Sequence, residues 1–355
     1  MPIEGSRMRT TADELPSTAS GTGRFLRRGW DWAVLVLLVA ASLHFARCYV
    51  TLSGTFLSLD KYSEGKEQMP FQGRMLMMWP MHWADHNAAL VNFAAHHGSS
   101  ARSPDLIVIM VVSALSLIGS GLILTQLYRR VSTVQLFWWA PWAVLLLISY
   151  TQYVLHSDNN FLYPFDMPGL FFFVAAIALI YSRNFLWLLL MFPIAVLNRE
   201  TALLMVPIFV IDACCAGDRM QWKKLLEPLV VGKAALLTGI WAVVVHAVHR
   251  HFRNNPDGTA HMLLWNLKEV LHPEHWPQLL SIGGFLLLPV CVYASDLRDF
   301  RLRMYLLVLI PWVGLMLIYG SILETRVFGE LGGLLSIAAA LIFERRVIRF
   351  ARDAP

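Results

Sequence analysis

Arg199 and Glu200 lie in the tetrapeptide Asn198-Arg199-Glu200-Thr201, between two apolar arms, Phe185 to Leu197 and Ala202 to Ala213. Each arm is about 20 Å long as a helix, short of the ~30 Å hydrocarbon core of a bilayer. A hairpin of two such arms holds both charges below the headgroups, where a bare ion costs about 2.5–3.5 kcal/mol or more and needs a partner or a water-filled cavity. The tetrapeptide is therefore the tip of a hairpin at a functional site, an ion pair bracing neighbouring helices, or the middle of one continuous helix. Asn198 suits the N-cap of the returning arm, and Pro193 and Pro207 suit bends in the two arms.

Four further groups of residues carry chemistry by type and spacing. Ser58-Leu59-Asp60-Lys61-Tyr62-Ser63-Glu64 is followed by Glu67 and by Pro70-Phe71-Gln72-Gly73-Arg74. A carboxylate at Asp60 or Glu64 would serve as a proton acceptor and Arg74 as an anion clamp, although acidic side chains in a water-facing loop also simply solvate it. His82, Asp85 and His86 fall at i, i+3 and i+4, so one helical face would present two imidazoles and a carboxylate to a divalent metal ion. Asp158 stands in a polar tip, His156-Ser157-Asp158-Asn159-Asn160, and is a candidate for acceptor or metal binding. Asp166 ahead of Pro168 is accounted for as a helix cap. Glu324 and Arg326 precede a final apolar run, and Arg326 would pair with Glu330 four residues on. Arg74, Arg199 and Arg326, with Glu200 and Glu324, form a candidate lining for an anion site, since arginine stays charged and grips phosphate with two donors.

These groups require a membrane scaffold to position them. The 355 residues are 57% hydrophobic and only 15% charged, and the mean hydropathy is +0.53. That composition excludes a soluble domain and predicts an all-α polytopic membrane protein. The net charge of +5 speaks to orientation and lipid contact, and no basic module for nucleic acid is present. Cys48, Cys214, Cys215 and Cys291 have no paired spacing and read as apolar filler.

Residues 1–23 are rich in Ser, Thr and Gly, which predicts a disordered cytoplasmic tail. Arg24, Arg27 and Arg28 then precede Trp30 to Val50, an uncleaved signal anchor. Further spans are expected at Asp105 to Tyr128, Val134 to Leu155, Phe161 to Tyr181, the two arms, Leu229 to His249, Trp276 to Ala294, Met304 to Ile322 and Val327 to Phe343. About ten crossings place both termini inside, with a single transmembrane domain over residues 24–349 and a short cytoplasmic tail over 350–355. This register gathers Arg129, Arg130, Arg183, Arg219, Lys223, Lys224, Arg298, Arg301, Arg303, Arg345, Arg346, Arg349 and Arg352 on the cytoplasmic side, whereas one helix through the two arms would put most of them outside. The hairpin is favoured on that ground. Two outward segments result, 51–104 and 250–275. Interfacial helices are expected in the first, from Arg74 to His97 with Trp79 and Trp83 at headgroup depth, and in the second around Met262, Leu263, Leu267, Val270 and Leu271.

No phosphate-binding loop, dinucleotide fingerprint or nucleophile elbow appears, so nucleotide-driven chemistry is not indicated. With Asp60 soon after the first span, the amphipathic stretch from Arg74 to His97, the short arms around Arg199-Glu200-Thr201 and Glu324-Thr325-Arg326 ahead of the last span, the chain resembles the GT-C superfamily of membrane glycosyltransferases. The resemblance covers most of the chain by architecture. It implies a GT-C-like fold, a polyprenyl-phosphate-linked sugar as donor, a bacterial inner (cell) membrane, and a catalytic acidic residue in the first outward loop. Members often carry that residue as an acidic pair; here Asp60 and Glu64 stand four apart. The implied reaction is an inverting transfer on the extracytoplasmic face, with Asp60 or Glu64 as base and Arg74, Arg199 or Arg326 at the leaving phosphate. The alternatives are a transporter or flippase for a lipid-linked or anionic solute, and a non-catalytic subunit of an envelope-assembly complex.

Overall fold

The computed structural model describes residues 21–54, 56–97, 103–132, 137–155, 160–258 and 261–353. The expected tail therefore lies outside the described residues as far as residue 20, and Gly21 already opens the first helix.

Sixteen α-helices follow in chain order among the described residues: α1 Gly21–Leu52, α2 Leu59–Ser63, α3 Met78–Asp85, α4 Ala88–His97, α5 Pro104–Val131, α6 Ala140–Tyr153, α7 Asp166–Tyr181, α8 Phe185–Asn198, α9 Met205–Cys214, α10 Pro228–His251, α11 Leu263–Leu271, α12 Trp276–Leu280, α13 Leu287–Val292, α14 Phe300–Tyr305, α15 Leu309–Tyr319 and α16 Gly332–Asp353. Residues up to Leu37 form one unit, the N-terminal part of α1, in which Trp30, Trp32, Val36 and Leu37 are exposed. Leu38 onward forms the second unit, which holds everything described below.

The chain is an all-α membrane protein. Five segments are long and apolar enough to cross a bilayer: Gly29–Leu52, Pro104–Val131, Pro228–His251, Phe300–Tyr319 and Thr325–Ile348. They differ in what they face. The last is 83% buried over its most apolar window and forms the centre of the packing, while Pro228–His251 is 11% buried and turns Leu229, Val231, Leu236 and Val243 outward. An apolar helix with so little protein cover has lipid as its solvent.

The other apolar segments are shorter than a bilayer is thick. Val134 to Leu155 yields only α6, of 14 residues, and the two arms yield α8 of 14 and α9 of 10. The expected span from Trp276 to Ala294 is interrupted, because Gly283, Gly284 and Phe285 all adopt positive φ between 63° and 65° and end helical geometry there. Gly283 and Gly284 also leave no room for a side chain against Leu335 and Ile148.

Local signals set several helix ends. Ser103 caps α5 through its Oγ, which accepts from the Leu106 amide at 3.4 Å, and Pro104 occupies the first turn. Asn266 caps from a distance: its Nδ2 donates to the carbonyls of Leu317 at 2.8 Å and Gly320 at 2.7 Å, at the end of α15, while its Oδ1 accepts from Ile322 N. That side chain ties α11 to the end of α15, with Leu263, Leu264, Leu267 and Leu271 left exposed on the opposite side. A helix tied down by one buried polar residue, with exposed leucines beside Lys268 and Glu269, suits the membrane interface.

The loops at the α1–α2 end are laced together. Gly54 N donates to Asn160 O at 2.7 Å, and Leu162 N returns to Gly54 O at 2.9 Å. Met69 N donates to Pro256 O at 2.8 Å, Gly258 N to Met69 O at 2.9 Å, and Asn255 Nδ2 to the carbonyls of Gly65 and Glu67. These bonds hold the stretch that carries Arg74 against the rest of that end. At the other end a two-stranded hairpin, β1 Cys215–Ala216 and β2 Arg219–Met220, turns at Gly217 with φ 58°. Arg346 bonds Asp296 Oδ2 at 3.0 Å, Arg301 meets Asp212 at 2.5 Å, and Arg130 donates to Ser182 at 2.7 Å.

Candidate functional site

The helix α8 stops at Asn198, where Arg199 takes extended backbone at φ −163° and a 3-10 turn, Glu200–Leu204, leads into α9. The ring of Phe185, at the start of α8, lies 5.5 Å from that of Phe209 midway along α9, so the chain returns on itself. The tetrapeptide is the tip of a hairpin. Asn198 does not cap the returning arm; its Nδ2 donates to Phe165 O at 3.0 Å and pins the tip to the start of α7.

Arg199 is buried, and its Nη1 meets two carboxylates, Glu330 Oε1 at 2.9 Å and Asp166 Oδ1 at 3.3 Å. Thr201 Oγ1 donates to Glu330 at 2.9 Å. Asp166 also lies 3.5 Å from Arg326 Nη1 and accepts from the Tyr49 hydroxyl at 3.3 Å. Arg326 in turn donates to Glu324 at 2.8 Å and to Phe161 O at 3.1 Å. Arg74 donates through Nε to Glu200 at 3.1 Å. Three arginines and four carboxylates from four chain segments thus join around the hairpin tip. Pairing of this kind is what makes charge tolerable at membrane depth.

Aromatic faces wall the cluster. The Arg326 guanidinium lies 3.8 Å from the Tyr163 ring centroid, and Arg74 lies 4.6 Å from that of Phe165. Tyr62 packs at 6.5 Å from Phe165 and donates its hydroxyl to the carbonyl of Arg74, while its burial pushes the phenol well above the usual range. Exposure separates the members: the side chains of Arg74, Glu200 and Glu324 are 16%, 26% and 25% accessible, against 7% or less for Arg199, Arg326, Asp166 and Glu330. The first three form a rim over a buried brace. Within the brace, the Nε atoms of Arg199 and Arg326, the Tyr153 hydroxyl and the Asn198 carbonyl oxygen have no hydrogen-bond partner among the described residues. Gly329 makes the fit possible, since a Cβ there would overlap the Tyr153 hydroxyl.

Of the residues singled out in the sequence, Arg74, Arg199, Glu200, Glu324 and Arg326 are brought together. Asp60 and Glu64 are not part of the ion-pair network. Asp60 is exposed on α2, two positions before Tyr62 and so on the opposite side of that helix. Glu64 is exposed and paired with Lys66 at 2.6 Å, and the hydrogen bond and charge of that lysine hold its carboxyl below the usual range.

The metal triplet is corrected. His82 and His86 lie with ring centroids 4.3 Å apart and their planes tilted by 42°, His86 Nδ1 lies 2.8 Å from the His82 carbonyl, and Asp85 faces Asp105. No group of three potential metal ligands converges among the described residues. The two imidazoles stay on one face, and the carboxylate is the member that does not join them, because Asp85 at the end of α3 faces Asp105 on α5. Asp158 lies outside the described residues.

Two members of the cluster went unassigned in the sequence. Asp166 reads there as a helix cap, yet α7 has no side-chain cap; the carboxylate goes to Arg199, Arg326 and Tyr49 instead. Glu330 reads as the partner of Arg326 at i+4. Residues Thr325–Leu331 form a 3-10 turn, in which i and i+4 do not share a face, and Glu330 pairs with Arg199. The available signal was a lone carboxylate in each of two otherwise apolar stretches.

No protein-family model, curated protein or solved structure matches the chain.

Proposed function

We propose that the protein is a membrane glycosyltransferase that moves a sugar from a lipid-phosphate carrier to an acceptor hydroxyl. The observation that carries this reading is the joining of Arg74, Arg199 and Arg326, from distant parts of the chain, with a rim of partly accessible Arg74, Glu200 and Glu324 over a buried base. A phosphate at the rim meets planar, permanently charged donors on aromatic backing, and needs no nucleotide because the energy lies in the phosphosugar bond.

In the reaction, the acceptor oxygen attacks the anomeric carbon, its proton passes to a carboxylate, and the bond to the phosphate oxygen breaks. The electron pair leaves with the lipid phosphate, stabilised by Arg74 at the rim, with the charge of Arg326 behind Glu324. Glu324 is the proton acceptor in this reading, since it is partly accessible and 2.8 Å from Arg326, whereas Asp60 stands on the face of α2 away from Tyr62 and Arg74.

We further assign about ten crossings of GT-C type in a bacterial inner membrane, with the cluster on the extracytoplasmic side and both termini cytoplasmic. The basic residues at the far end, Arg130, Arg183, Arg301, Arg345 and Arg346, support that orientation.

The test places purified protein in liposomes containing a labelled polyprenyl-phosphate sugar and an alcohol acceptor. Consumption of the donor with release of lipid phosphate supports an enzyme. Movement of intact donor between leaflets without consumption supports the carrier reading, in which the same arginines hold cargo.

A further inference from the structure

At the opposite end of the α8–α9 hairpin, about 20 Å along α8 from Arg199, lies a second site of different character. A cavity of about 210 Å³ opens between the ends of α7 and α9, the start of α8, the 3-10 turn Trp222–Leu226 and the first turns of α10. Its walls are apolar, with Leu188, Phe209 and Val230. Three cations enter it: Arg183, Lys224 and Lys233.

None of the three forms an ion pair with a carboxylate among the described residues. The one carboxylate in the wall, Asp212, is taken by Arg301 at 2.5 Å and by the Tyr305 hydroxyl at 2.5 Å. Lys233 sits in the second turn of α10, half-buried in the least protein-covered of the spanning segments, with its Nζ 4.8 Å from the Phe185 ring centroid. An unpaired ammonium at an apolar wall is costly unless an anion meets it. Arg183 adds a second sign. Its φ is 55°, a backbone position that favours glycine at a helix end, so a bulky side chain is retained there against the local preference. Trp187 in the first turn of α8 and Trp222 at the start of the 3-10 turn, both exposed, belong to the elements that line the cavity, and tryptophan is enriched at headgroup depth.

We infer that this cavity binds the headgroup of a net-anionic membrane phospholipid, its phosphate held by Arg183, Lys224 and Lys233 and its chains lying along Leu188, Phe209 and α10. Lipid is the source, rather than free phosphate, because most of the lining is apolar and α10 faces outward. The site is independent of the arginine cluster.

The full-length protein in detergent is mixed with phosphatidylglycerol or with phosphatidylcholine of the same chains, and retained lipid is counted by native mass spectrometry. Phosphatidylglycerol is preferred by about fivefold or more, the yield of even one cation at an anionic headgroup. Lys233→Gln and Arg183→Gly each reduce that preference toward parity. Arg183→Gly guards against misfolding, because glycine takes φ 55° without strain and leaves the thermal midpoint unchanged or raised. Equal retention of the two lipids by the wild type, or an undiminished preference in both variants, overturns the proposal. Inorganic phosphate in excess leaves the bound lipid in place; displacement of the lipid would assign the cations to free phosphate and overturn the lipid site.

Discussion

Arg199 Nη1 lies 2.9 Å from Glu330 Oε1, with both side chains almost completely buried, and the same nitrogen reaches Asp166 at 3.3 Å. The hairpin tip is therefore fastened to the start of α7 and to the turn ahead of α16 by charge rather than by apolar contact. Removing one partner leaves the others buried and uncompensated, which costs about 3–5 kcal/mol. Arg199→Met should lower thermal stability in detergent by that order, and Glu330→Gln should cost less because Thr201 and Arg199 can still donate to the amide oxygen. An Arg199→Met change of under about 1 kcal/mol, the size expected of an exposed pair, would contradict a buried brace.

Arg74 and Glu200 pair at 3.1 Å on the accessible rim, where an ion pair contributes about 0–1 kcal/mol. Arg74→Ala should leave the unfolding midpoint nearly unchanged while sugar transfer falls by about 10²–10³, the usual cost of one lost donor to developing negative charge. Lysine at the position should recover only part of the rate, since it lacks the planar two-donor geometry. Transfer at the wild-type rate in Arg74→Ala would remove this residue from the site.

Glu324→Gln and Asp60→Asn separate two candidates for the proton acceptor. Loss of a general base costs about 10²–10⁴ in rate, and this loss should fall on Glu324→Gln, with Asp60→Asn changing turnover less than about tenfold. The opposite ranking, measured as single-turnover consumption of the labelled donor, would return the role to the first loop.

Gly329→Ala tests the close approach that the cluster requires. The added methyl meets the Tyr153 hydroxyl and must displace either that ring or the turn carrying Arg326 and Glu330. Overpacking of this kind costs about 1–3 kcal/mol, and transfer activity should fall with it. A neutral substitution would mean that the turn is free to move.

Asn266 offers a test far from any chemistry. Its amide serves the carbonyls of Leu317 and Gly320 and the amide of Ile322, so Asn266→Leu strands buried backbone groups at a cost of about 1–3 kcal/mol. Its effect should appear in thermal stability, with the lipid preference at Lys233 untouched.

The sequence alone determined that this is a helical membrane protein, that the chain folds back at Arg199, and that the residues near Leu263 form a short helix with an exposed apolar side. Those features follow from hydropathy, arm length and charge placement, which act over one or two helix lengths. It also identified Arg74, Arg199, Glu200, Glu324 and Arg326 as charges that need company, because an ion at membrane depth is expensive wherever it stands. Tertiary structure alone decided which company each keeps. Asp166 gave up a capping role for Arg199 and Arg326, and Glu330 left Arg326 for Arg199 once the turn ahead of α16 tightened to 3-10 geometry. His82 and His86 kept adjacent rings, but Asp85 turned from them toward Asp105 on α5. Each outcome depends on where a helix stops and what lies across from it, and the spacing of residues along one strand of sequence carries neither.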